Sequence, residues 1–440
     1  MREQPLSAAR GACHAAAMKL AALVLALTLA DAAEARTVHV RAGRLIDPEH
    51  GTVLTDRRID VVDGKVVAVA AWSPPGDDGE VIDWSAFSVL PGLIDCHTHI
   101  ADGYEFAADP AEPLKHSAAD TILKGAAAAR ATLAAGFTTV RDVGAYRALS
   151  DVALRDAITR GDVAGPRMVV AGGYITVPGG GGAVTALAPE VALPPEFTRG
   201  YVRDPDDARA AADWFLGHGA DFLKLIATGA VLALGSAPNA LELTPEQMKA
   251  ACDRAAERGS YCIAHAHGAA GIKAAIRAGA RSIEHASLAD DEALALAKAK
   301  GVWLDMDVYN GTWFEEVGRK QGWPEEYLRK GRETTSTQRA AFAKAVKLGV
   351  KLSYGTDAGV YPHGLNARQF GSMVRYGMTP MQAIQSATTG AAALLRKSGE
   401  VGALSPGNFA DMIAVMGDPL GDVTVLERVA HVMKGGEVVR

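Results

Sequence analysis

The feature that most constrains the fold is a repeated alternation of strand-like and alanine-rich segments through the middle of the chain. Most of the strand-like runs are separated by Ala-rich helical stretches such as DPDDARAAADWFLGHG and TPEQMKAACDRAAERG. Strands that alternate with helices usually run parallel, and eight of them predict a (β/α)8 barrel. Periodicity alone leaves a doubly wound open sheet as the alternative. The eight runs are VLPGLID, FTTVRD, RMVVAG, DFLKLIA, YCIAHAH, RSIEHA, VWLDMD and VKLSYGTD.

Helix ends in this region carry their own signals. Thr244 and Pro245 have the residue types preferred at a helix N-cap and at the first helical position. Glycines stand just before several predicted strands, where a helix C-terminus needs a left-handed residue. These are Gly136, Gly219, Gly259, Gly279, Gly301 and Gly349.

The two ends of the chain differ from its middle. TVHVRAGRLID and RRIDVVDGKVVAVA near one end, and DMIAVMGDPL and VAHVMKGGEVVR near the other, are short and β-like. Asp63-Gly64 and Gly435-Gly436 have the composition of tight hairpin turns. We therefore predict a small sheet domain formed by residues 36–90 together with residues 403–440, and a barrel formed by residues 91–402.

The overall composition is that of an ordinary globular protein. Hydrophobic residues make up 49% of the 440 residues and charged residues 22%, so the chain can bury a large core. Its formal net charge is −6 and it has no long basic run, so nothing favours a nucleic-acid partner.

Residues 1–35 have the pattern of an export signal. Met18 and Lys19 precede the apolar run LAALVLALTLA, and residues 33–35 have the small-x-small pattern that signal peptidases cut. We predict a bacterial signal peptide over residues 1–35, with Met18 as the alternative start, and a secreted or periplasmic protein that begins at Arg36. The apolar run is shorter than the roughly 20 residues that a membrane anchor needs, so stable membrane insertion is not expected.

Two cysteines, Cys252 and Cys262, could pair in an oxidising compartment. Their predicted positions, one on a helix and one on a strand, give that pairing no geometric support. Both are therefore predicted to be buried thiols.

Polar side chains gather at the C-terminal ends of the predicted strands. Lys224 lies inside an apolar strand and Asp357 ends the eighth one. Barrel active sites are built on the C-terminal face, so side chains at these ends are expected to converge. Five of the 12 histidines lie at or just beyond such an end: His97, His99, His265, His267 and His285.

These residue types suit a metal centre. His97 and His99 are two positions apart on an extended chain, so both rings can face one ion. Burial would lower the pKa of Lys224, and a neutral amine can take up carbon dioxide to form a carbamate that bridges two cations. Asp357 can bind a metal and also accept a proton from water. The structural alternatives are a Lys224 amine that reaches the barrel rim and an Asp357 that caps the following turn.

Other candidates carry weaker signals. Tyr309 and Arg141 lie near strand ends and could bind a substrate carboxylate, although a structural ion pair with Asp142 or another neighbour is favoured for Arg141. His363, in the loop after the eighth strand, could contact substrate or be solvated. The glycine run 179–182 lacks the Lys and Ser/Thr of a phosphate loop, and we predict that it shapes the rim of the pocket.

Taken together, these motifs resemble those of the amidohydrolase superfamily. The resemblance rests on LPGLIDCHTH, the strand lysine, the later strand-end histidines and GTDAG, and it extends from residue 36 to the end of the chain. GALSPGNFADMIAVMGDPL is similar to the segment that completes the family's β-sandwich domain. AHAHGAAGIKAAIRAGARSIEHAS is similar to the prolidase-like branch, with its Xaa-Pro dipeptidases, carboxypeptidase-like and ochratoxinase-like members. The implied fold is a (β/α)8 barrel with a small β-sandwich domain formed by the N- and C-terminal segments.

The resemblance also implies two divalent metal ions, expected to be zinc, that share a hydroxide. His and carboxylate ligands also suit Mn, Co, Fe or Ni, so the residues leave the metal open. The implied ligands are His97, His99 and Asp357 at the more buried ion, a carbamate on Lys224 as the bridge, and His265 and His285 at the second ion.

Two residues have implied catalytic roles. Asp357 would carry a proton to the departing nitrogen. His265 is preferred to His267 as a ligand because it is the first histidine at the end of its strand, 20 residues before His285. His267 would then face the substrate.

We therefore expect hydrolysis of an amide or peptide bond in dipeptides or N-acyl amino acids, including aromatic amides of the ochratoxin type. One alternative is hydrolysis of cyclic amides, lactones or phosphotriesters on the same fold. Another is a non-catalytic binding protein, against which the complete ligand set argues. Members of this branch are often multimeric, which implies a homo-oligomer.

Overall fold

The computed structural model describes residues 36–102, 109–188 and 190–440. The predicted signal peptide over residues 1–35 lies outside the described residues. The strands are β1 (Thr37–Asp47), β2 (Thr52–Val62), β3 (Lys65–Ala71), β4 (Glu80–Pro91), β5 (Leu93–Thr98), β6 (Phe137–Asp142), β7 (Arg167–Val170), β8 (Tyr174–Ile175), β9 (Leu223–Ile226), β10 (Cys262–Gly268), β11 (Ser282–Leu288), β12 (Trp303–Asp305), β13 (Leu352–Ser353), β14 (Met412–Val415), β15 (Val429–Lys434) and β16 (Glu437–Val438).

Helices follow most of the strands in the middle of the chain. The α-helices are α1 (Ala118–Ala134), α2 (Ser150–Arg160), α3 (Pro205–Gly217), α4 (Pro245–Glu257), α5 (Ala269–Ala278), α6 (Asp291–Lys300), α7 (Asn310–Trp313), α8 (Glu325–Leu348), α9 (Arg368–Arg375), α10 (Pro380–Ser386) and α11 (Thr389–Leu394). Short 3-10 turns cover Glu112–Lys115, Pro195–Phe197 and Val423–Glu427, and a π-helical turn covers Phe314–Gly318.

The middle strands form a parallel barrel. β5, β6 and β7 pair in parallel, and so do β8 to β13 in chain order. β7 and β8 together occupy the third of the eight barrel positions, since β7 pairs with β6 and β8 pairs with β9. Asp221 N donates to Val170 O at 2.8 Å, which joins the two sets of strands. On the other side Cys96 N donates to Tyr354 O at 2.8 Å and Thr98 pairs in parallel with Ala358. These bonds bring the first and eighth strands together.

The ends of the chain form a second sheet. Its strand order is β16-β15-β14-β4-β1-β2-β3, so strands from both ends of the chain lie side by side, with β14 antiparallel to β4. Val40, Trp84, Met412 and Met433 pack together as its buried core. β4 leads directly into β5. The fold is therefore α/β, with a (β/α)8 barrel and a small β-sandwich domain built from both termini.

The local signals in the sequence correspond to turns and caps in the structure. Asp63-Gly64 and Gly435-Gly436 both have positive φ and connect β2 to β3 and β15 to β16. Thr244 is the N-cap of α4, its hydroxyl accepts from Gln247 N, and Pro245 opens the helix. All six glycines predicted to end helices have left-handed φ values between 66° and 102°. These predictions are confirmed.

The prediction of free thiols at Cys252 and Cys262 was wrong. The structure joins them in a disulfide between α4 and the start of β10, with Cα atoms 5.3 Å apart. That separation is typical of disulfides, and it arises because α4 packs against the strand that follows it. Within the described ranges, no helix combines the length and apolar character needed to cross a membrane.

Candidate metal centre

A cavity of about 810 Å³, its mouth included, opens at the C-terminal ends of the barrel strands. Strand alternation explains how its polar lining arises. In β9, Leu223 and Leu225 join the core cluster while Lys224 and Ile226 line the cavity. The structure brings all seven principal candidates into this lining: His97, His99, Lys224, His265, His267, His285 and Asp357.

One group of potential ligands combines the first, sixth and eighth strands. Ligand atoms of His97, His285 and Asp357 lie within 4.8 Å of one another. Asp357 Oδ1 lies 3.3 Å from His97 Nε2 and 3.2 Å from His99 Nε2. Burial opposes ionisation of the Asp357 carboxyl, yet the neighbouring histidines hold its pKa well below the usual value. An ionised carboxylate facing two imidazoles is a donor set that suits a divalent cation.

His97 gives the clearest sign that this group fits a cation. Its side chain is fully buried, and each ring nitrogen faces a carboxylate at 3.3 Å, Nδ1 toward Glu284 Oε2 and Nε2 toward Asp357 Oδ1, without the alignment of a hydrogen bond. Buried polar atoms are nearly always hydrogen-bonded, because leaving them without a partner costs about 1–3 kcal/mol. A metal ion bound at Nε2, the nitrogen that faces Asp357, would give that atom a partner and so remove the cost.

A second group combines the fifth and sixth strands. Ligand atoms of His265, His267 and His285 lie within 4.8 Å of one another. His265 Nε2 lies 3.3 Å from Gly229 O, which leaves Nδ1 available, whereas His267 Nδ1 lies 2.8 Å from Ser287 Oγ and leaves Nε2 available. Either ring can therefore face an ion, and the preference for His265 stays a prediction.

Lys224, on the fourth barrel strand, β9, also lines the cavity. It is almost fully buried, and this desolvation lowers its pKa to about 8 despite the nearby carboxylates of Glu284 and Asp357. With that pKa about a tenth of the amine is neutral at pH 7, compared with well under a thousandth for an ordinary lysine. The amine therefore meets the chemical requirement for carbamate formation.

The backbone is strained at two of the candidate ligands. His285 has φ of 68° and Asp357 has φ of 58°, both in the left-handed region that non-glycine residues rarely adopt. Such conformations cost of order 1–3 kcal/mol each and persist where the surrounding structure holds them. His285 lies within β11 and Asp357 follows β13, and both side chains line the cavity.

Hydrogen bonds orient the imidazoles from behind. His99 Nδ1 donates to Gly144 O at 2.9 Å, and His285 Nδ1 donates to Asp307 Oδ1 at 2.9 Å. A ring that donates from Nδ1 presents the Nε2 lone pair on the opposite side, where a metal can bind. Tyr174, whose hydroxyl donates to Gly144 O at 3.0 Å, also lines the cavity.

The weaker substrate-contact candidates lie elsewhere. Arg141 is fully buried, and its Nη2 donates to Glu284 Oε2 at 2.9 Å, so its ion-pair partner is Glu284 rather than Asp142. The Tyr309 hydroxyl accepts from Arg368 at 3.0 Å. The His363 ring lies 3.4 Å from the Thr132 hydroxyl. None of the three candidates is among the described residues that line the cavity.

One wall of the cavity is apolar. The glycine-run prediction is confirmed in part, because Gly181 and Gly182 line the cavity, with Gly181 N donating to Glu242 Oε2 at 2.8 Å. The apolar lining residues come from the end of β9 and the loop after it, from the segment before α8 and from the loop after β13. They are Ile226, Ala230, Val231, Leu232, Phe314 and Val360.

Comparisons with known proteins agree with this geometry. The sequence model of the amidohydrolase family matches residues 88–439. Ochratoxinase from Aspergillus niger is 30% identical, with 94% of this chain and 89% of that protein covered. The structure is similar to that of a Xaa-Pro dipeptidase with bound methionine, with a TM-score of 0.87, 35% identity, and 92% and 100% of the two chains covered. For the structure of A. niger ochratoxinase the TM-score is 0.81 at 28% identity, with 92% and 96% covered.

Proposed function

Since the chain belongs to the amidohydrolase family, we propose that it is a binuclear metal-dependent enzyme that cleaves the amide bond of dipeptides or N-acyl amino acids. Family membership, with ochratoxinase and a Xaa-Pro dipeptidase among its relatives, makes it a hydrolase of carbon–nitrogen bonds. The observation that carries the rest is His97, whose buried Nε2 faces Asp357 Oδ1 at 3.3 Å without the alignment of a hydrogen bond.

The residues present fit two divalent ions. His97, His99 and Asp357 would hold one of them, and His265 and His285 would hold the other. A carbamate on Lys224 would supply the bridging oxygens. Ions bound there would polarise the scissile carbonyl and make a water molecule more acidic. We propose zinc, since histidine nitrogen and carboxylate oxygen are among its common ligands.

Asp357 is placed to move the proton that amide cleavage requires. Its Oδ1 faces His97 and His99, while Oδ2 lies on the side of Asn310, so one oxygen can bind a cation while the other accepts a proton from the attacking water. Asp357 then gives this proton to the amide nitrogen as the carbon–nitrogen bond breaks. An amine departs readily only when it is protonated, so this transfer is needed for turnover.

His267 can orient the substrate. Burial, together with the nearby His285, lowers its pKa to about 3, so the ring is neutral near pH 7. When the Ser287 hydroxyl donates to Nδ1, the ring proton lies on Nε2, on the side opposite Ser287. From there it can donate to a substrate oxygen, and burial away from water strengthens such a bond. The apolar wall beside it favours substrates with an apolar or aromatic side chain.

The proposal is tested by a hydrolysis screen on metal-loaded protein. The library would contain dipeptides and N-acyl amino acids, including aromatic amides, together with one cyclic amide, one lactone and one phosphotriester. His285→Asn is the site variant, and His218→Asn, at an exposed position after α3, is its matched control. We expect wild type and His218→Asn to cleave the same amide, and His285→Asn to lose this activity. Cleavage of only the lactone or phosphotriester, or equal activity in both variants, would refute the proposal.

We also propose that the protein acts outside the cytoplasm. The disulfide between Cys252 and Cys262 supports this, because such bonds persist in oxidising compartments and are rare in the cytosol of mesophiles. N-terminal sequencing of protein isolated from the native host should find Arg36 or a neighbouring residue first. A pool that retains residues 20–30 in the cytoplasm would contradict this.

A further inference from the structure

We propose that Asp307 and Asn310, on the segment after the seventh barrel strand, are positioning residues that hold His285 and Asp357 in the orientation needed to bind metal. The seventh strand, β12, contributes none of the predicted metal ligands. Its following segment nevertheless lines the cavity with Asp307 and Asn310. The inference rests on the proposed function, since it concerns the metal site described there.

Asp307 is surrounded by hydrogen-bond donors. Its Oδ1 accepts from His285 Nδ1 at 2.9 Å and from Gln338 Nε2 at 2.9 Å, and its Oδ2 accepts from Asn310 Nδ2 at 2.6 Å. The Asp307 side chain is nearly inaccessible to water. A carboxylate accepts from all three neighbours with its two oxygens, whereas the amide of an asparagine would place a donor of its own against one of them. The site therefore specifies a carboxylate at this position.

This arrangement fixes the tautomer of His285. A buried carboxylate at Nδ1 keeps the ring proton on that nitrogen, so Nε2 carries its lone pair on the side away from Asp307. Gln338 adds a second constraint, because its Nε2 also lies 3.2 Å from the carbonyl oxygen of His285. That bond holds the residue whose φ of 68° is strained. Ring and backbone of His285 are thus held by one connected group.

Asn310 connects this group to Asp357. Its Nδ2 donates to Asp307 Oδ2 at 2.6 Å and lies 3.2 Å from Asp357 Oδ2, so its two protons serve two carboxylates. The assignment of the amide nitrogen follows from chemistry, because the amide oxygen in its place would face two acceptors. With Asn310 donating to one lone pair of Oδ2, the Oδ1 atom of Asp357 faces His97 and His99. One amide thereby orients ligands from the sixth and eighth strands together.

The test measures metal affinity, which does not depend on knowing the substrate. Asp307→Asn removes the acceptor-only carboxylate, and Asn310→Leu keeps similar volume but removes both donors. Asn408→Leu is the matched control, since Asn408 is a buried amide in the sheet domain that donates to Ser405 O at 3.1 Å. Zinc affinity would be measured by competition with a chromophoric chelator, and the ligand geometry by the visible spectrum of the cobalt-substituted protein.

We expect Asp307→Asn and Asn310→Leu each to weaken zinc binding by about 10–100-fold, the usual effect of removing a group that orients a metal ligand. Their cobalt spectra should differ from that of wild type, whereas Asn408→Leu should match wild type in both measurements. If Asp307→Asn does not fold, as judged by circular dichroism, Asn310→Leu decides the question alone. Zinc affinity within about threefold of wild type in the folded variants would overturn the inference, because the expected loss is at least tenfold.

His285→Asn separates this inference from the proposed function. If His285→Asn binds zinc as tightly as wild type, the ligand assignment itself fails and the proposed function fails with it. If His285→Asn loses zinc while the Asp307 and Asn310 variants retain it, the metal site stands and only the positioning role is lost.

Discussion

Replacing the buried Arg141 should destabilise the protein strongly. Its guanidinium lies inside the barrel, where Nε donates to Cys96 O at 2.5 Å, Nη1 to Ser282 Oγ at 3.0 Å and Nη2 to Glu284 Oε2 at 2.9 Å. The side chains of Arg141 and Glu284 are both 0% exposed. Arg141→Met keeps much of the volume, removes all of these bonds and leaves the Glu284 charge buried without its main partner.

The expected loss follows from that burial. Removing one partner of a buried ion pair costs about 3–5 kcal/mol, because the remaining charge is left in a poorly solvating environment. An exposed pair is the control: Arg254 bonds to Asp213 at 2.9 Å with both side chains at least one third exposed. Such surface pairs contribute about 0–1 kcal/mol. Arg141→Met should therefore lower the free energy of unfolding several times more than Arg254→Met does.

The loss should also depend on pH. Burial disfavours the Glu284 carboxylate, but Arg141 holds its pKa below the usual value. In the wild type this contribution is present above the unfolded pKa of about 4.3 and is lost as pH falls. Without Arg141 burial dominates and raises the pKa, so in the variant Glu284 takes up a proton as the solution is acidified. The difference between variant and wild type should then be larger at pH 7.5 than at pH 5.5.

Urea unfolding of metal-free protein, followed by tryptophan fluorescence at both pH values, measures these differences. A free energy of unfolding within about 1 kcal/mol of wild type at pH 7.5 would refute the reasoning, since even the low end of the expected range is about 3 kcal/mol. So would a loss that does not shrink at pH 5.5. A substrate-binding role would instead leave stability unchanged and raise KM.

Three further perturbations have defined outcomes. Lys224→Ala should lose activity and much of one metal ion, and short carboxylic acids added to the solution should partly restore the activity. Full metal content together with wild-type turnover would show that no carbamate on Lys224 is needed. Asp357→Asn should retain most of its metal, while kcat falls by about 10²–10⁴-fold and KM changes much less. Turnover near that of wild type would exclude Asp357 as the proton carrier. Replacing both Cys252 and Cys262 by serine should lower the free energy of unfolding by roughly 2–3 kcal/mol, as expected for a disulfide that closes a short loop, while kcat stays nearly unchanged. An unchanged free energy of unfolding would show that the disulfide does not stabilise the protein.

Much of the fold could be predicted because its signals are local. A left-handed glycine such as Gly279 and a capping threonine such as Thr244 depend on a few neighbouring residues. The strands that carry the histidines were visible as apolar runs, and the rule that barrel sites form at strand C-termini then grouped residues that are distant in sequence.

The remaining features depend on packing between distant segments. The strand containing Arg141 is buried on both sides, so its residue pattern did not show which side chains point into the barrel. The pairing of Cys252 with Cys262 follows from how α4 lies on β10. His and Asp are among the non-glycine residues enriched in the left-handed region, but residue type alone does not single out His285 and Asp357 among the other His and Asp residues of the chain.

Asp307 is a different case. It ends the run VWLDMD, at the same position relative to its strand as the histidines that were chosen. Strand-end position could therefore have identified it. Residue type does not distinguish it, because histidines and the eighth-strand aspartate are predicted to bind metal directly, whereas Asp307 acts on those ligands.

The central claim is that two divalent ions in this cavity support amide hydrolysis. The most direct measurement is a titration of metal-free protein with zinc in the presence of bicarbonate, which follows the cleavage of an amide substrate against the number of ions added per chain. We expect negligible activity without metal and a hydrolysis rate that rises until two ions are bound per chain and then stays constant. Full activity in the metal-free protein, or saturation at one ion, would contradict this claim.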